Sequence, residues 1–309
     1  MKAVSVYALV LTVFCGVLFF SSNLNKQAGM ADQEFDKEIQ TDNNSLPQII
    51  QGVRLIQGIN LGDEELPMDN FDAKERLERE FLVNSYWHSS TLLYLKNANR
   101  YFPVIEPILA EQGVPDDFKY LAVAESALRN VKSPAGARGI WQFMSASGKS
   151  YGLVINDEVD ERYHLEKATV AACKYLKDAK AELGSWTMAA ASYNMGVPRL
   201  KSNMQEQKET NYYHLNLNPE TSRYVFRVMA IKEIMTRPRD FGFYLAEDEL
   251  YAPLDNYSIV TVDGPVKSWG DFAQQYGTNY RMLKVYNPWL RKSSLTNREG
   301  RTYQVKIPR

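Results

Sequence analysis

The feature that most restricts the fold is a long series of segments with helical periodicity between residues 72 and 236. In each segment, apolar residues recur every three or four positions, the spacing that places them on one face of an α-helix. Most of the connections contain Gly or Pro, which commonly end helices. No fixed repeat period is present, which argues against a helical solenoid. The first predicted helix begins at Asp72, and the others are 90–98, 101–112, 116–130, 139–150, 166–183, 186–195 and 220–236.

The pattern changes near Tyr251. The segment "YSIVTV" alternates like a strand, "SWGDFAQQYG" and "YRMLKVYNPWL" have helical patterns, and "RTYQVKIP" again has the pattern of a strand. The sequence therefore predicts a mainly α fold, in which a helical domain at 49–250 is followed by a small βααβ module at 251–309.

The N-terminal residues have the pattern of an export signal. Lys2 precedes an uncharged apolar run from Ala3 to Phe20, which predicts a secretory signal peptide or an uncleaved signal anchor over 1–22. No A-x-A-like cleavage site follows the run, which favours the anchor. Residues 23–48 are polar and acidic without a period, which predicts a tether. We therefore expect an exported protein that is attached to the membrane by its N-terminus.

Composition argues against several kinds of partner. The formal net charge is −1, so the basic face that nucleic acid requires is not indicated. The three histidines, His88, His164 and His214, are scattered without metal-ligand spacing, and neither a metal nor another cofactor is expected. Cys173 lies within a helical pattern, and we expect it to be buried as a small hydrophobic residue.

One carboxylate interrupts the apolar face of the predicted helix 116–130. The positions on this face are Phe118, Leu121, Ala122, Glu125 and Leu128. Glu125 therefore stands where a core residue is expected. Burial of a carboxylate there costs several kcal/mol unless the group is paired or stays protonated.

Two interpretations of Glu125 are open at this point. Glu125 could pair with a basic residue such as Arg129 or Arg138 and join two helices. Alternatively, burial could raise its pKa until it is a proton donor near neutral pH.

Two later segments carry groups that suit a binding site. The turn "SPAGARG" at 133–139 contains two glycines, which let backbone approach a ligand closely, and it is followed by Trp141 and Gln142. Tyr193 and Asn194 stand at the end of an Ala-rich helix, where a hydroxyl and an amide could lie at the edge of a binding site. The alternatives are a core role for Trp141 and an ordinary helix end after Asn194.

Five short segments together resemble, in order and approximate spacing, the motifs of family 1 lytic transglycosylases, including the membrane-bound MltD-like branch. These goose-lysozyme-like enzymes act on bacterial cell walls. The segments are "ES" at 125–126, "SPAGARGIWQFM" at 133–144, "VDER" at 159–162, "SYNMG" at 192–196 and "ETSRYV" at 220–225. Typical members have "AYNAG" where this chain has "SYNMG", so the Tyr-Asn-x-Gly pattern is kept. The resemblance covers roughly residues 70 to 245 and implies a lysozyme-like helical fold.

The resemblance also implies roles for individual residues. By position, Glu125 would be the catalytic acid and base. Ser126 would contact the substrate. The residues implied to line or support the sugar site are Gln142, Tyr193, Asn194, Glu220 and Tyr224.

The C-terminal module resembles a LysM module, a type that binds N-acetylglucosamine-containing glycans. The segments "FAQQYGTNYRMLKVYNPWL" and "YQVKIP" carry this resemblance, while "DGPVKSW" replaces the usual "GDTL" start. The expected partner is therefore the glycan strand of peptidoglycan. We expect a separate module of this kind to raise the effective concentration of the enzyme on its substrate rather than to take part in the chemistry.

The resemblance implies cleavage of the bond between N-acetylmuramic acid and N-acetylglucosamine with one enzyme carboxylate, which leaves 1,6-anhydromuramyl ends. Most glycosidases use two carboxylates, and Asp160 or Glu161 could serve as the second if the protein were a hydrolytic, lysozyme-type muramidase. For both acids, a helix-start or ion-pair role with Arg162 is the alternative. A third possibility is a non-catalytic peptidoglycan-binding protein of the envelope.

Overall fold

The computed structural model describes residues 52–309, and Val53–Arg309 form one compact unit. The predicted signal segment 1–22 and the tether 23–48 lie outside the described residues. Within the described range, no helix is both long and apolar enough to cross a membrane.

The described chain is mainly helical, with a two-stranded sheet near each end. Its α-helices are α1 Phe71–Tyr86, α2 His88–Gln112, α3 Lys119–Ser126, α4 Ser145–Ser150, α5 Leu165–Leu183, α6 Trp186–Met195, α7 Val197–Gln207, α8 Thr221–Thr236, α9 Trp269–Gln275 and α10 Tyr280–Tyr286. Its strands are β1 Asn60–Leu61, β2 Glu64–Glu65, β3 Tyr257–Val262 and β4 Tyr303–Pro308. Both sheets are antiparallel pairs.

The helix α8 forms the centre of the helical part. It packs against α1, α3 and α6, and residues on most of its circumference are buried, as expected for a helix enclosed by others. Its fully buried side chains include Val225, Phe226 and Val228. Three consecutive alanines of α6, 189–191, are also fully buried and let α6 approach its neighbours closely. This packing brings the first turns of α8 beside the end of α3.

The predicted helices 90–98 and 101–112 are one helix in the structure, α2. This helix continues through Pro103 and Pro107, although an interior proline removes a hydrogen bond and costs about 3 kcal/mol. Ile105 and Leu109 are completely buried in the core. Their packing compensates for the lost backbone bonds, and the break predicted at 99–100 is absent.

Two other predicted helices are shorter than expected. The helix predicted at 116–130 begins as a 3₁₀ turn and ends as α3 at Ser126, because Ala127 and Leu128 both adopt left-handed backbone with φ of 56°. The helix predicted at 139–150 is helical only in α4. The first part of that range instead forms turns and isolated antiparallel bridges.

The helix α7 was not predicted. It begins directly after Gly196, and Pro198 stands in its first turn, where proline is favoured because the missing N–H has no partner there anyway. This Gly and Pro were predicted only to connect two helices.

The predicted βααβ order of the C-terminal module is confirmed. The strands β3 and β4 pair in a register that sets Tyr257 opposite Pro308 and Val262 opposite Tyr303, and α9 and α10 lie between them in the chain. The module has its own buried cluster, which includes Trp269, Leu283 and Val305. That cluster also contains two residues of the helical part, Val159 and Tyr163.

Candidate active site

Glu125 lies in the last turn of α3, and its carboxyl group is half-buried. Its close partner comes from the central helix: the Tyr224 hydroxyl donates a hydrogen bond to Glu125 Oε1 at 2.6 Å. Neither of the two basic partners considered above pairs with it. Arg138 forms an ion pair with Asp160, and Arg129 Nε donates to the Ser126 carbonyl at 3.4 Å.

The surroundings of Glu125 favour its protonated form. The pKa of Glu125 is raised to about 7, chiefly by burial and to a smaller extent by the negative charge of Glu220. The hydrogen bond from Tyr224 and the positive charge of Arg227 act in the opposite direction but are outweighed. Burial and the nearby Glu125 hold the pKa of both Tyr224 and Tyr193 well above 10.0. Glu125 can therefore exchange a proton near neutral pH, while both phenols stay protonated.

Ser126 has a different position from the other predicted site residues. Its side chain is buried, and its hydroxyl donates to the carbonyls of Ile140 at 2.7 Å and Ala122 at 3.1 Å. It thereby fixes the end of α3 to the segment that follows "SPAGARG". This geometry suits a residue that holds Glu125 in place better than one that touches substrate.

The segment 131–143, which we call the 131–143 turn, is held by backbone bridges from Lys132 to Arg138 and from Arg138 to Phe143. At Gly139, with φ of 80°, an added Cβ would lie 1.8 Å from the carbonyl oxygen of Arg162. Only glycine allows this approach between two backbone segments.

Gln142 and Trp141 make different kinds of contact. Gln142 adopts left-handed backbone with φ of 50°, and its amide nitrogen donates to the Gly139 carbonyl at 2.6 Å and to the Val131 carbonyl at 3.2 Å. Trp141 is completely buried, and its ring nitrogen donates to Thr169 Oγ1 at 2.9 Å. The core interpretation of Trp141 is therefore correct.

The "SYNMG" residues connect the turn to the central helix. The Tyr193 hydroxyl donates to the Trp141 carbonyl at 2.8 Å. Asn194 Nδ2 donates to Glu220 Oε1 at 3.2 Å, and Asn194 Oδ1 accepts from Thr221 Oγ1 at 2.6 Å. Glu220 itself is exposed. Thr221, which is buried, was not predicted as a site residue, although its position three residues before Tyr224 places it on the same side of the helix.

Asp160 and Glu161 are occupied by structural contacts. Asp160 is buried, caps a 3₁₀ turn and accepts two hydrogen bonds from Arg162 at 2.8 Å. Burial alone would raise the pKa of Asp160, but the contacts with Arg162 outweigh burial and lower it. Glu161 is also buried, accepts from the Val154 amide at 2.7 Å and pairs with Lys167. The ion-pair interpretation of Asp160 with Arg162 is therefore confirmed.

The arrangement brings together one titratable carboxyl, a phenol bonded to it, a second phenol bonded to the 131–143 turn, and an amide–carboxylate pair. Such a set can transfer a proton to and from a bound substrate, because the carboxyl has a pKa near the operating pH.

Comparison with known proteins identifies two matched regions. Residues 103–216 match the model of the Transglycosylase SLT domain, and residues 258–309 match the Soluble lytic transglycosylase C-terminal LysM-like domain. Glu220 and Tyr224 lie beyond the first match.

The chain is also similar to two curated proteins, each named Membrane-bound lytic murein transglycosylase D, from Escherichia coli strain K12 and Escherichia coli O6:H1 strain CFT073. Each is 28% identical over 243 residues, which cover 76% of this chain and 52% of the relative. The chain thus spans about half the length of the curated relatives it matches.

Proposed function

Because the chain carries a transglycosylase SLT domain followed by a LysM-like domain, we propose that it is a peptidoglycan lytic transglycosylase of the cell envelope. The proposed reaction cleaves the β-1,4 bond between N-acetylmuramic acid and N-acetylglucosamine and leaves 1,6-anhydromuramyl ends. The observation that carries this proposal is the half-buried Glu125 carboxyl, bonded to the Tyr224 hydroxyl, with a pKa raised to about 7.

In the proposed mechanism, one carboxyl group acts twice. Protonated Glu125 gives its proton to the bridging oxygen as the glycosidic bond breaks. The carbonyl of the muramyl N-acetyl group stabilises the positive anomeric carbon. The Glu125 carboxylate then takes the proton of the muramyl 6-hydroxyl, whose oxygen closes on the anomeric carbon. A pKa near the operating pH suits both steps, and no water enters the product.

The other site residues would position Glu125 and the sugar. Tyr224 orients the carboxyl through its hydrogen bond, and Ser126 fixes the end of α3 from inside. We propose that Gln142, Tyr193 and Asn194 line the sugar site, and that Glu220 holds the Asn194 amide. The proposed partner is the glycan strand of peptidoglycan, and the proposed location is the periplasm, with the N-terminal segment as membrane anchor.

The hydrolytic alternative has one specific observation in its favour. Asp160 and Glu161 are engaged elsewhere, but the exposed Glu220 carboxylate acts electrostatically on Glu125. In a muramidase, Glu220 would activate a water molecule, and the product would then carry a reducing end.

The product formed in heavy-oxygen water distinguishes the two reactions. Digestion of purified peptidoglycan should give anhydromuramyl ends without solvent label, because ring closure is intramolecular, and mass spectrometry of the fragments measures both features. The Glu220→Gln variant is expected to give the same unlabelled product at a reduced rate. Labelled reducing ends that disappear in Glu220→Gln would instead establish the hydrolase. Replacement of Asp160 is a poorer test, because it would leave buried Arg162 without its partner.

The pH dependence of kcat/KM tests the role of Tyr224. Because Glu125 must be protonated to begin the reaction, the rate should fall as pH rises through about 7. The Tyr224→Phe variant loses a hydrogen bond that stabilises the ionised carboxylate, so the pKa of Glu125 rises. We expect the alkaline limb of the profile, where the rate falls as pH rises, to move to higher pH by about one unit. The maximal rate should also be lower.

A matched control is Tyr212→Phe, which removes a buried hydroxyl bonded to the Thr221 carbonyl at 2.8 Å and not to Glu125. This variant should lose some stability and leave the alkaline limb in place. An equal shift of the limb in both variants would count against a specific Tyr224–Glu125 interaction.

A further inference from the structure

The LysM-like module is joined to the helical part by backbone hydrogen bonds as well as by side chains. The Asp160 amide donates to the Trp289 carbonyl at 2.9 Å, and the Arg291 amide donates to the Glu158 carbonyl at 2.8 Å. Residues 158–166 and 288–296 thus form a short antiparallel contact, which we call the seam.

Side chains reinforce the seam at its exposed edge. The Thr296 amide and hydroxyl donate to the two carboxylate oxygens of Glu158, at 2.9 Å and 3.0 Å. The Arg291 guanidinium lies 4.2 Å from the centre of the Tyr163 ring, a distance at which a cation is attracted to an aromatic face.

The two parts also share one buried cluster. Val159 is completely buried and Tyr163 nearly so, and both belong to the hydrophobic cluster of the module rather than to that of the helices. The Trp289 ring stacks on His164 with a centroid distance of 5.5 Å, and on Tyr303 at the same distance. The module therefore has no complete core of its own without residues 159–163.

The other side of the same segment holds the 131–143 turn. Asp160, whose amide is bonded to the module, accepts through its carboxylate from Arg138 at 3.1 Å and from Arg162 at 2.8 Å. Arg162 is buried and donates to the carbonyls of Gly136 and Phe143, both at 3.2 Å. Residues 160–162 thus have the module on one side and the turn on the other.

The 131–143 turn also fixes two groups beside Glu125. The carbonyl of Ile140 accepts from the Ser126 hydroxyl, and the carbonyl of Trp141 accepts from the Tyr193 hydroxyl. A displacement of the turn would therefore alter the position of Tyr193 and of the α3 end that carries Glu125.

We propose that the LysM-like module positions the 131–143 turn through the seam, and so takes part in the cleavage reaction besides any binding of glycan. This inference rests on the proposed function for its catalytic half. It differs from the sequence-based expectation that the module adds only effective concentration. A shift of about 1 Å in a positioning group can cost 100-fold in rate, so loss of seam contacts should reduce turnover.

The test uses variants of the whole chain in which the seam is weakened. The substrate is a short soluble peptidoglycan oligosaccharide, because binding to insoluble cell wall gives the enzyme no advantage on such a substrate. The double variant Glu158→Ala/Arg291→Ala removes side-chain contacts at the exposed edge of the seam and replaces no residue of either buried cluster. Its kcat is expected to fall by about tenfold while KM changes less than about twofold. Trp289→Ala should reduce kcat more, and Trp289→Phe, which keeps a ring between His164 and Tyr303, should restore most of it.

A matched control removes a contact that lies within the module and away from the seam. Thr261→Ala/Gln304→Ala deletes the exposed hydrogen bond between these two side chains, at 3.3 Å, and should leave kcat unchanged. Pelleting with insoluble peptidoglycan should be the same for this control, the Glu158→Ala/Arg291→Ala variant and the wild type.

Hydrogen exchange supplies a second readout that needs no activity. In Glu158→Ala/Arg291→Ala, the amides of Arg138 and Gly139, which donate within the 131–143 turn, should exchange faster than in the wild type at unchanged melting temperature. Wild-type kcat in this variant would refute the positioning role, as would unchanged exchange in the turn. If the wild type forms no anhydro ends, the proposed function fails, whereas the exchange result still decides whether the module orders the turn.

Discussion

Replacing Glu125 with Gln is expected to reduce cleavage by at least about 1,000-fold, because the amide is nearly isosteric with the carboxyl but cannot transfer a proton. The rate of formation of anhydromuramyl ends measures this loss directly. Circular dichroism should be unchanged, because the Tyr224 hydroxyl can still donate to the amide oxygen of the new side chain. Turnover at the wild-type rate with matched circular dichroism would refute the assignment of Glu125 as the acid.

The thermal stability of Glu125→Gln gives an independent check with a definite sign. The pKa of Glu125 is raised to about 7 in the folded protein, above its ordinary value of 4.5. The folded state therefore binds the proton more tightly than the unfolded state, and stability from this group is lost as pH rises from 4.5 through about 7. Glu125→Gln has no group that ionises at this position, so it does not lose stability in this way as pH rises. Its melting temperature should therefore exceed that of the wild type at about pH 8 and match it at about pH 4.

Replacing Gly139 with Ala is expected to destabilise the fold by more than about 3 kcal/mol and to remove most activity. The added Cβ would lie 1.8 Å from the carbonyl oxygen of Arg162 and 2.7 Å from its carbonyl carbon. These are backbone atoms of a segment that is held by buried ion pairs and by the module, so their displacement would itself cost free energy. Urea unfolding gives the change in free energy, and assays well below the unfolding midpoint give the change in turnover.

Gly136 provides the matched control within the same turn. Its φ is 92°, and an added Cβ would meet no atom within 4 Å. Gly136→Ala should therefore lose only the free energy of left-handed strain, about 1–2 kcal/mol. Similar losses in the two variants would mean that the close approach to Arg162 is not what requires glycine at 139.

The sequence predicted those parts of the fold whose signals are local. The helices at 166–183 and 186–195 and the βααβ order all occur within a few residues of the predicted bounds. The errors have a physical pattern. The predicted break at 99–100 does not occur, because buried residues on both sides of it, such as Tyr94 and Ile105, hold one continuous helix against the core. Residues 139–143 are not helical because Gly139 and Gln142 adopt left-handed backbone, which periodicity cannot reveal.

The candidate site shows the same division. The position of Glu125 on an apolar face was evident from spacing, and the structure accordingly raises its pKa. Its partner Tyr224 is 99 residues away in sequence, and only the resemblance to a known family indicated that residue before the packing of α3 on α8 was described. Arg227 was missed because its effect on Glu125 depends on that same packing.

The inward position of Ser126 could not be read from its neighbour in the motif. Adjacent residues of a helix point about 100° apart, so a serine beside a site carboxylate can as well face the core as the ligand. The joining of the two parts was equally invisible. Val159 and Tyr163 fit the pattern of the helical part, although they are buried in the module.

The placement of Val159 and Tyr163 has a consequence for dividing the protein into fragments. Both side chains precede the change of sequence pattern near Tyr251, whereas most members of the cluster that buries them follow it. A cut at residue 250 would therefore leave two apolar side chains uncovered on the helical part, and it would remove two residues from the core of the module. Exposed apolar surface of this kind favours aggregation, so neither fragment retains the packing of the joined parts.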